Sequence, residues 1–352
     1  MAFELNEKVK NLKPYDPICG DFEIRLDANE SFIQPSDKMM EDVMNAVSNV
    51  ALNRYPDSTA YDVCEQFAKL YDIPSNLVVA GNGSDEIISV IMTAFLQKGD
   101  KVITLTPDFS MYNFYTSLVE CECIEFAKDD DFNVDFDKLI LEINNINARM
   151  VIFSNPCNPT SVGFLAKDVK KLIENTNALI VLDEAYMDFW NQSLLCDVQN
   201  YDNLIILRTC SKAIGLASIR LGFAVANTKL INVIKSAKSP YNVNSLTQAV
   251  ACSLLSQREY IEQSIEAIKN SLDALYFELK KIEKKFPKNL KIYKSNTNFV
   301  FIKTQDAKQI FEFLKTNGII VRNMNGYLRI TAGSQDENQK LLNQIKKFYK
   351  VG

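Results

Sequence analysis

The chain reads as an α/β protein on a doubly wound, mainly parallel sheet, and two observations predict this. Short β-branched runs alternate with helical periodicity for about two hundred residues. Several of the runs are apolar throughout, as strands covered on both faces must be. The size agrees: 352 residues, 47% hydrophobic and 24% charged, suffice for roughly two domains of about 150 residues each.

An N-terminal arm (1–35) carries Pro14, Pro17 and Pro35. Seven strands are expected after it, at Leu77 to Ala80, Lys101 to Leu105, Glu122 to Phe126, Met150 to Phe153, Leu179 to Leu182, Leu204 to Leu207 and Leu221 to Ala226. They make residues 36–240 the large domain. From Asn242 to Pro287 the apolar spacing becomes three and four, which predicts one long helical region with a solvated, Lys-rich end. A smaller α+β domain (241–352) takes in this region and the strands Phe299 to Lys303, Ile319 to Arg322 and Tyr327 to Thr331. Ser334 with Glu337 forms a capping box for the last helix.

Composition removes whole classes of function. The chain holds no histidine, so Ser-His-Asp and Cys-His catalysis and imidazole-bound zinc are excluded, and no metal site is expected. Eight cysteines without a Cys-x-x-Cys pair read as reduced thiols. A net charge of -5 with mixed signs offers no stripe for nucleic acid. No apolar run reaches the ~18 residues of a membrane span, and the start is charged rather than signal-like, so a cytoplasmic protein is expected. Proton transfer must use a tuned lysine, tyrosine, cysteine or carboxylate, or a cofactor with titratable groups of its own.

Four stretches carry candidate chemistry, each following a strand. Gly81-Asn82-Gly83-Ser84-Asp85-Glu86 opens a helix, where backbone N–H groups and the Ser84 hydroxyl can face an anion; a turn in which Ser84 merely caps the helix fits the same residues. Asn155-Pro156-Cys157-Asn158-Pro159-Thr160 follows Met150 to Phe153. Asp183-Glu184-Ala185-Tyr186 puts an acid at the carboxyl end of a parallel strand, where open α/β sheets bind ligands. Thr209-Cys210-Ser211-Lys212 offers a strand-end lysine, and a lysine in a low-dielectric cleft can lose its proton at neutral pH.

Taken in order, Tyr55, Gly83-Ser84, Phe109, Asn158, Asp183, Tyr186, Ser211-Lys212 and Arg220 resemble the pyridoxal-phosphate site of the fold type I aminotransferases. The resemblance narrows to the histidinol-phosphate aminotransferases, whose signatures are similar to Leu12-Lys13-Pro14-Tyr15, Leu26-Asp27-Ala28-Asn29-Glu30, Arg54-Tyr55-Pro56-Asp57 and Leu328-Arg329-Ile330-Thr331-Ala332-Gly333. Two departures stand out: Ser161 where that family has Gly after Asn-Pro-Thr, and a short link between Arg322 and Arg329.

The resemblance implies a pyridoxal 5'-phosphate-dependent transferase of fold type I, with a large seven-stranded domain and a smaller C-terminal one. Lys212 would hold the cofactor and then act as the base, while Asp183 would face the pyridine nitrogen. Asn158 and Tyr186 would bond its phenolic oxygen, and Phe109 would stack on the ring. Ser84, Thr209, Ser211, Arg220 and the backbone at Gly83 would hold the phosphate, and Asp85 would belong to the cofactor-binding set. Tyr55 would arrive from a second subunit, which implies a homodimer with shared active sites. Tyr15, Asn29, Arg322 and Arg329 would bind the substrates, histidinol phosphate or imidazole acetol phosphate and glutamate or 2-oxoglutarate, in histidine biosynthesis. Three other readings share the scaffold: an aromatic amino acid transaminase, a threonine-phosphate-type decarboxylase, and a non-catalytic binding protein.

Overall fold

The structure is a computed structural model that describes residues 3–10, 12, 14 and 18–350. Tyr15 lies outside the described residues. In chain order the strands are β1 (Ile24–Leu26), β2 (Val78–Gly81), β3 (Lys101–Thr106), β4 (Glu122–Ala127), β5 (Met150–Ser154), β6 (Leu179–Asp183), β7 (Leu204–Thr209), β8 (Gly222–Ala226), β9 (Leu290–Ile292), β10 (Phe299–Thr304), β11 (Ile319–Asn323) and β12 (Tyr327–Thr331). They form a seven-stranded sheet, β2-β8-β7-β6-β5-β3-β4, and a five-stranded sheet, β1-β11-β12-β10-β9.

Every strand expected from the sequence is present. In the large sheet β8 is antiparallel to both neighbours, so it alone runs against the rest. Alternate residues of the central strands feed two cores, one per face: Ile103, Val151, Phe153, Ile180, Leu182 and Ile206 on one side, Val102, Met150, Ile152, Val181, Ile205 and Leu207 on the other. That is why these runs read as continuously apolar. Each such side chain fully buried contributes about 1.5–3 kcal/mol.

The region from Asn242 to Pro287 is two helices, Ser245–Leu255 and Arg258–Lys285. No Gly or Pro marks the break, so the apolar spacing runs through it unbroken. The first helix packs Ala251, Leu254 and Leu255 into the core of the large sheet. The second, about 42 Å long at 1.5 Å per residue, places Ile261 in that core and Leu272, Leu275, Leu279 and Ile282 in the core of the small sheet. The capping box forms as expected: Ser334 N–H donates to Glu337 Oε2 (2.7 Å) and Glu337 N–H to Ser334 Oγ (3.3 Å). Strands β1 and β9, three residues each, were not expected. In β1 the arm pairs in parallel with β11, Ile24 opposite Ile319. Among the described residues no helix is long and apolar enough to cross a membrane.

Candidate active site

The carboxyl ends of β2, β3, β5, β6 and β7 carry all the strand-end motifs, and because β8 is antiparallel its beginning lies at the same edge. Thr209 and Gly81 both register with Gly222. Arg220, which precedes β8, therefore joins residues that follow the other strands. Gly222 is required there, since a Cβ would sit 2.5 Å from Ser84 N and 2.6 Å from Gly83 C. The close approach lays the first turn of helix Gly83–Phe95 directly on the sheet.

At this edge Arg220 Nη1 donates to Ser211 Oγ (3.3 Å), and Nη2 lies 3.5 Å from Asp85 Oδ2. Gly83 has φ 77°, and a Cβ there would come within 2.9 Å of Arg220 Nη2. Among the described residues the Ser84 side chain does not cap the helix; Glu86 accepts the Asn82 N–H instead (2.7 Å). Ser211 N–H donates to Thr209 Oγ1 (3.2 Å), which shapes the turn. A guanidinium, two hydroxyls and a helix N-terminus with no Cβ in the way thus make a cup that suits a phosphate.

Beside the cup, Asp183 is 4% exposed. It accepts from Tyr112 Oη (2.8 Å) and Ala185 N–H (3.0 Å). Burial pushes its carboxyl up to about 7, the charges of Asp108 and Asp85 adding to the shift and the two donors opposing it. A buried carboxylate with no cation among the described residues suits a protonated ring nitrogen as its partner. Lys212 is half-buried, and its Nζ donates to Ala28 O (2.9 Å). Burial lowers its pKa to about 8, the Arg329 and Arg220 guanidiniums pushing the same way against Glu30. About a tenth of this amine is free base at pH 7, against well under a thousandth for an ordinary lysine. On the cup, the lone carboxylate and the tuned amine together, the residues fit pyridoxal phosphate.

Tyr186 is buried, which lifts its phenol to about 12, and its Oη accepts from Asn29 Nδ2 (2.8 Å). Asn158 Oδ1 accepts from Arg329 Nη1 (2.6 Å), and Arg329 Nη2 donates to Asp27 O (2.6 Å). The arm signature acquires a physical reason: consecutive carbonyls of Asp27, Ala28 and Asn29 receive Arg329, Lys212 and Asn298 in turn. Asn29 itself adopts φ 55°. Phe109 follows β3 and meets Tyr112 edge-on at 5.5 Å. Arg322 registers directly opposite Arg329, and among the described residues its side chain makes no hydrogen bond or ion pair. Tyr55 is 81% exposed and stacks on Tyr241 at 4.6 Å.

Both departures from the motif pattern are accommodated locally. Ser161 takes φ 64°, the conformation glycine favours, and is held by its hydroxyl on Thr160 O (2.5 Å) and by Asn296 N–H on its carbonyl (2.9 Å). The short link is a two-residue Asn325-Gly326 hairpin with Met324 and Tyr327 bonded to each other. Sequence reasoning missed Tyr112, whose sequence signal is that of an ordinary core tyrosine. It also missed a buried cluster of Arg208 with Glu184 and Asp188 (2.9 and 2.7 Å), for which the only signal was a charge ending an apolar strand.

The fold and the site define a fold type I transferase. The model of the class I and II aminotransferases matches residues 23–345, and the chain belongs to that family. It is 39% identical over 349 residues to the histidinol-phosphate aminotransferase of Clostridium kluyveri and 40% identical over 352 residues to that of Clostridium novyi, covering 98% of each chain in both pairs. Among solved structures it is similar to the histidinol-phosphate aminotransferase of Sinorhizobium meliloti in complex with pyridoxal-5'-phosphate, with a TM-score of 0.87, 22% identity, and 99% and 98% of the two chains covered.

Proposed function

We propose that the chain is a pyridoxal phosphate-dependent aminotransferase acting between histidinol phosphate and a 2-oxoacid. The observation that carries the reaction class is the pairing of a lysine of lowered pKa with a buried, cation-seeking carboxylate at the ends of neighbouring parallel strands. Full-length identity to histidinol-phosphate aminotransferases supports the substrate.

Bound in the cup, pyridoxal phosphate would supply an aldehyde to capture the amine and a ring to take up the electron pair freed at Cα. The protein does the rest. Gly83 N–H, Ser84, Ser211 and Arg220 would hold the phosphate, with Asp85 and Thr209 shaping the cup. Asp183 would keep a proton on the ring nitrogen, and Tyr112 orients Asp183. Asn158 and Tyr186 would donate to the phenolic oxygen, and Phe109 would cover one face. Lys212 Nζ would act as the base that takes the proton from the substrate Cα and later gives it back. Asn29 orients Tyr186. Arg322 and Arg329, with Tyr15, would bind the anionic end of each substrate, a phosphate in one half-reaction and a carboxylate in the other.

Charge-assisted bonds of this kind are worth about 1.5–3 kcal/mol each. Loss of two of them predicts that histidinol phosphate is used at least about a hundredfold better in kcat/KM than histidinol. Arg322→Ala should shrink that ratio more than it slows the reaction with glutamate, because Arg329 alone can hold a carboxylate. Steady-state kinetics on the two alcohols and on phenylalanine test this. Equal use of both alcohols, or a preference for phenylalanine, would move the assignment to aromatic amino acids, and carbon dioxide release without a 2-oxoacid to a decarboxylase.

A homodimer with shared sites is part of this reading. Exposed Met40, Met44, Leu52 and Tyr55 along helix Asp37–Ser48 and the loop after it support it. Mixing inactive Lys212→Ala protein with an inactive Tyr55 variant is expected to restore partial activity through hybrid dimers. Subunit exchange without any recovery would refute the shared site.

A further inference from the structure

Asp108 and Lys128, which the reaction above does not use, meet between the ends of three parallel strands. Their side chains are 3% and 0% exposed, with Lys128 Nζ 3.4 Å from Asp108 Oδ2. Lys128 continues the ladder beyond β4, its N–H on Thr106 O (3.0 Å). Its Nζ also donates to Pro107 O (2.7 Å), after β3, and to Cys157 Sγ (3.0 Å), after β5. Asp108 Oδ1 accepts from the Phe109 N–H (2.8 Å) and from the Ser154 hydroxyl, and Oδ2 from the Ser154 N–H (3.3 Å). Ser154 Oγ in turn accepts from the Asn158 N–H (3.2 Å). One carboxylate thus holds the backbone of Phe109 directly and that of Asn158 through a single hydroxyl.

Stability alone gives no reason for such a pair, since apolar residues of similar volume in place of a buried ion pair are often neutral or stabilising. Directional bonds offer what apolar packing does not, a fixed angle between two loops. We propose that Asp108, with Lys128 as its counter-charge, is a positioning residue that sets the separation and facing of Phe109 and Asn158, which in the reading above, on which this proposal rests, would cover one face of the cofactor ring and bond its phenolic oxygen.

The test uses cofactor-loaded wild type, Asp108→Asn, Lys128→Met, Ser154→Ala and the apolar double variant Asp108→Leu/Lys128→Met. The readouts are the visible circular dichroism of the bound cofactor, kcat and KM separately, and the melting temperature. Misplacing an oriented group by about 1 Å costs up to about a hundredfold, so each single variant is expected to lower kcat about tenfold with little change in KM and to reduce the dichroic band. The double variant should recover the melting temperature but neither kcat nor the band. Ser154→Ala keeps the ion pair and removes only the bridge to Asn158, so its loss of dichroism separates positioning from stability should the charge variants fail to fold. A double variant that recovers kcat and the band together, or an unchanged band in Asp108→Asn and Ser154→Ala, overturns the proposal and leaves the aminotransferase reading standing. A wild type with no visible band after loading overturns that reading, and this proposal with it.

Discussion

Lys212→Ala is expected to abolish turnover, by at least about 10⁴-fold, because it removes both the attachment point and a general base worth about 10²–10⁴ by itself. Borohydride reduction of the loaded wild type, followed by peptide mapping, should label Lys212, and a label on any other lysine ends the assignment. The pH dependence has a definite sign. A base must be unprotonated to act, and Lys212 is a free amine only once substrate has displaced it, so kcat should rise with pH towards a plateau above about 8, where burial and two guanidiniums put this amine. A rate that falls through the same range would mean the ammonium is the active form.

Asp183→Asn is expected to leave the cofactor bound while turnover falls about a thousandfold, since an amide gives a pyridinium no charge and a few pKa units at ~1.4 kcal/mol each decide its protonation. Near-normal turnover would remove the electron-sink role. The same substitution has an opposite effect on protein stripped of cofactor. The folded-state pKa of about 7 lies above the 3.8 of an ordinary aspartate, so between those two pH values the folded chain binds more protons than the unfolded one. Stability therefore falls as pH rises across that window. At three units the strain amounts to about 4 kcal/mol at most. Stripped Asp183→Asn should accordingly melt above stripped wild type at pH 8, with the gap closing by pH 4. A variant that melts lower at pH 8 would show that the carboxylate is satisfied by Tyr112 and Ala185 alone.

Strand-end chemistry was legible in the sequence because a polar residue that ends an apolar run has nowhere to go but the sheet edge. Lys212, Asp183, Asn158 and the Gly83-Ser84 turn were each found that way, and the antiparallel run of β8 accounts for Arg220 at the start of a strand rather than the end. The arm was harder. Strand β1 has three residues with only Ile24 and Leu26 buried, too short for a period, and its partner lies at the far end of the chain. Asp27 and Asn29 entered through resemblance; their contacts depend on a backbone path that no local pattern encodes. The pairing of Asp108 with Lys128 was likewise hidden, because two adjacent parallel strands with a helix between them separate the partners in sequence. By contrast, Asn325-Gly326 between two strands is a hairpin signal that explains the short link without reference to any structure.

The parallel pairing of β1 with β11 also sets an order of events during synthesis. Ile24 leaves the ribosome long before Ile319 exists: at about 5–20 residues per second, the roughly 300 residues between them take some 15–60 s. The large sheet needs nothing beyond helix Ser245–Leu255 and the start of the next helix for its core, so it can collapse during that wait. The arm cannot. Its carbonyls at Asp27 and Asn29 receive side chains from residues 329 and 298, so the segment that lines the catalytic cleft is among the last to settle, and a nascent chain released early would carry the lysine and its cup without the strap that closes over them.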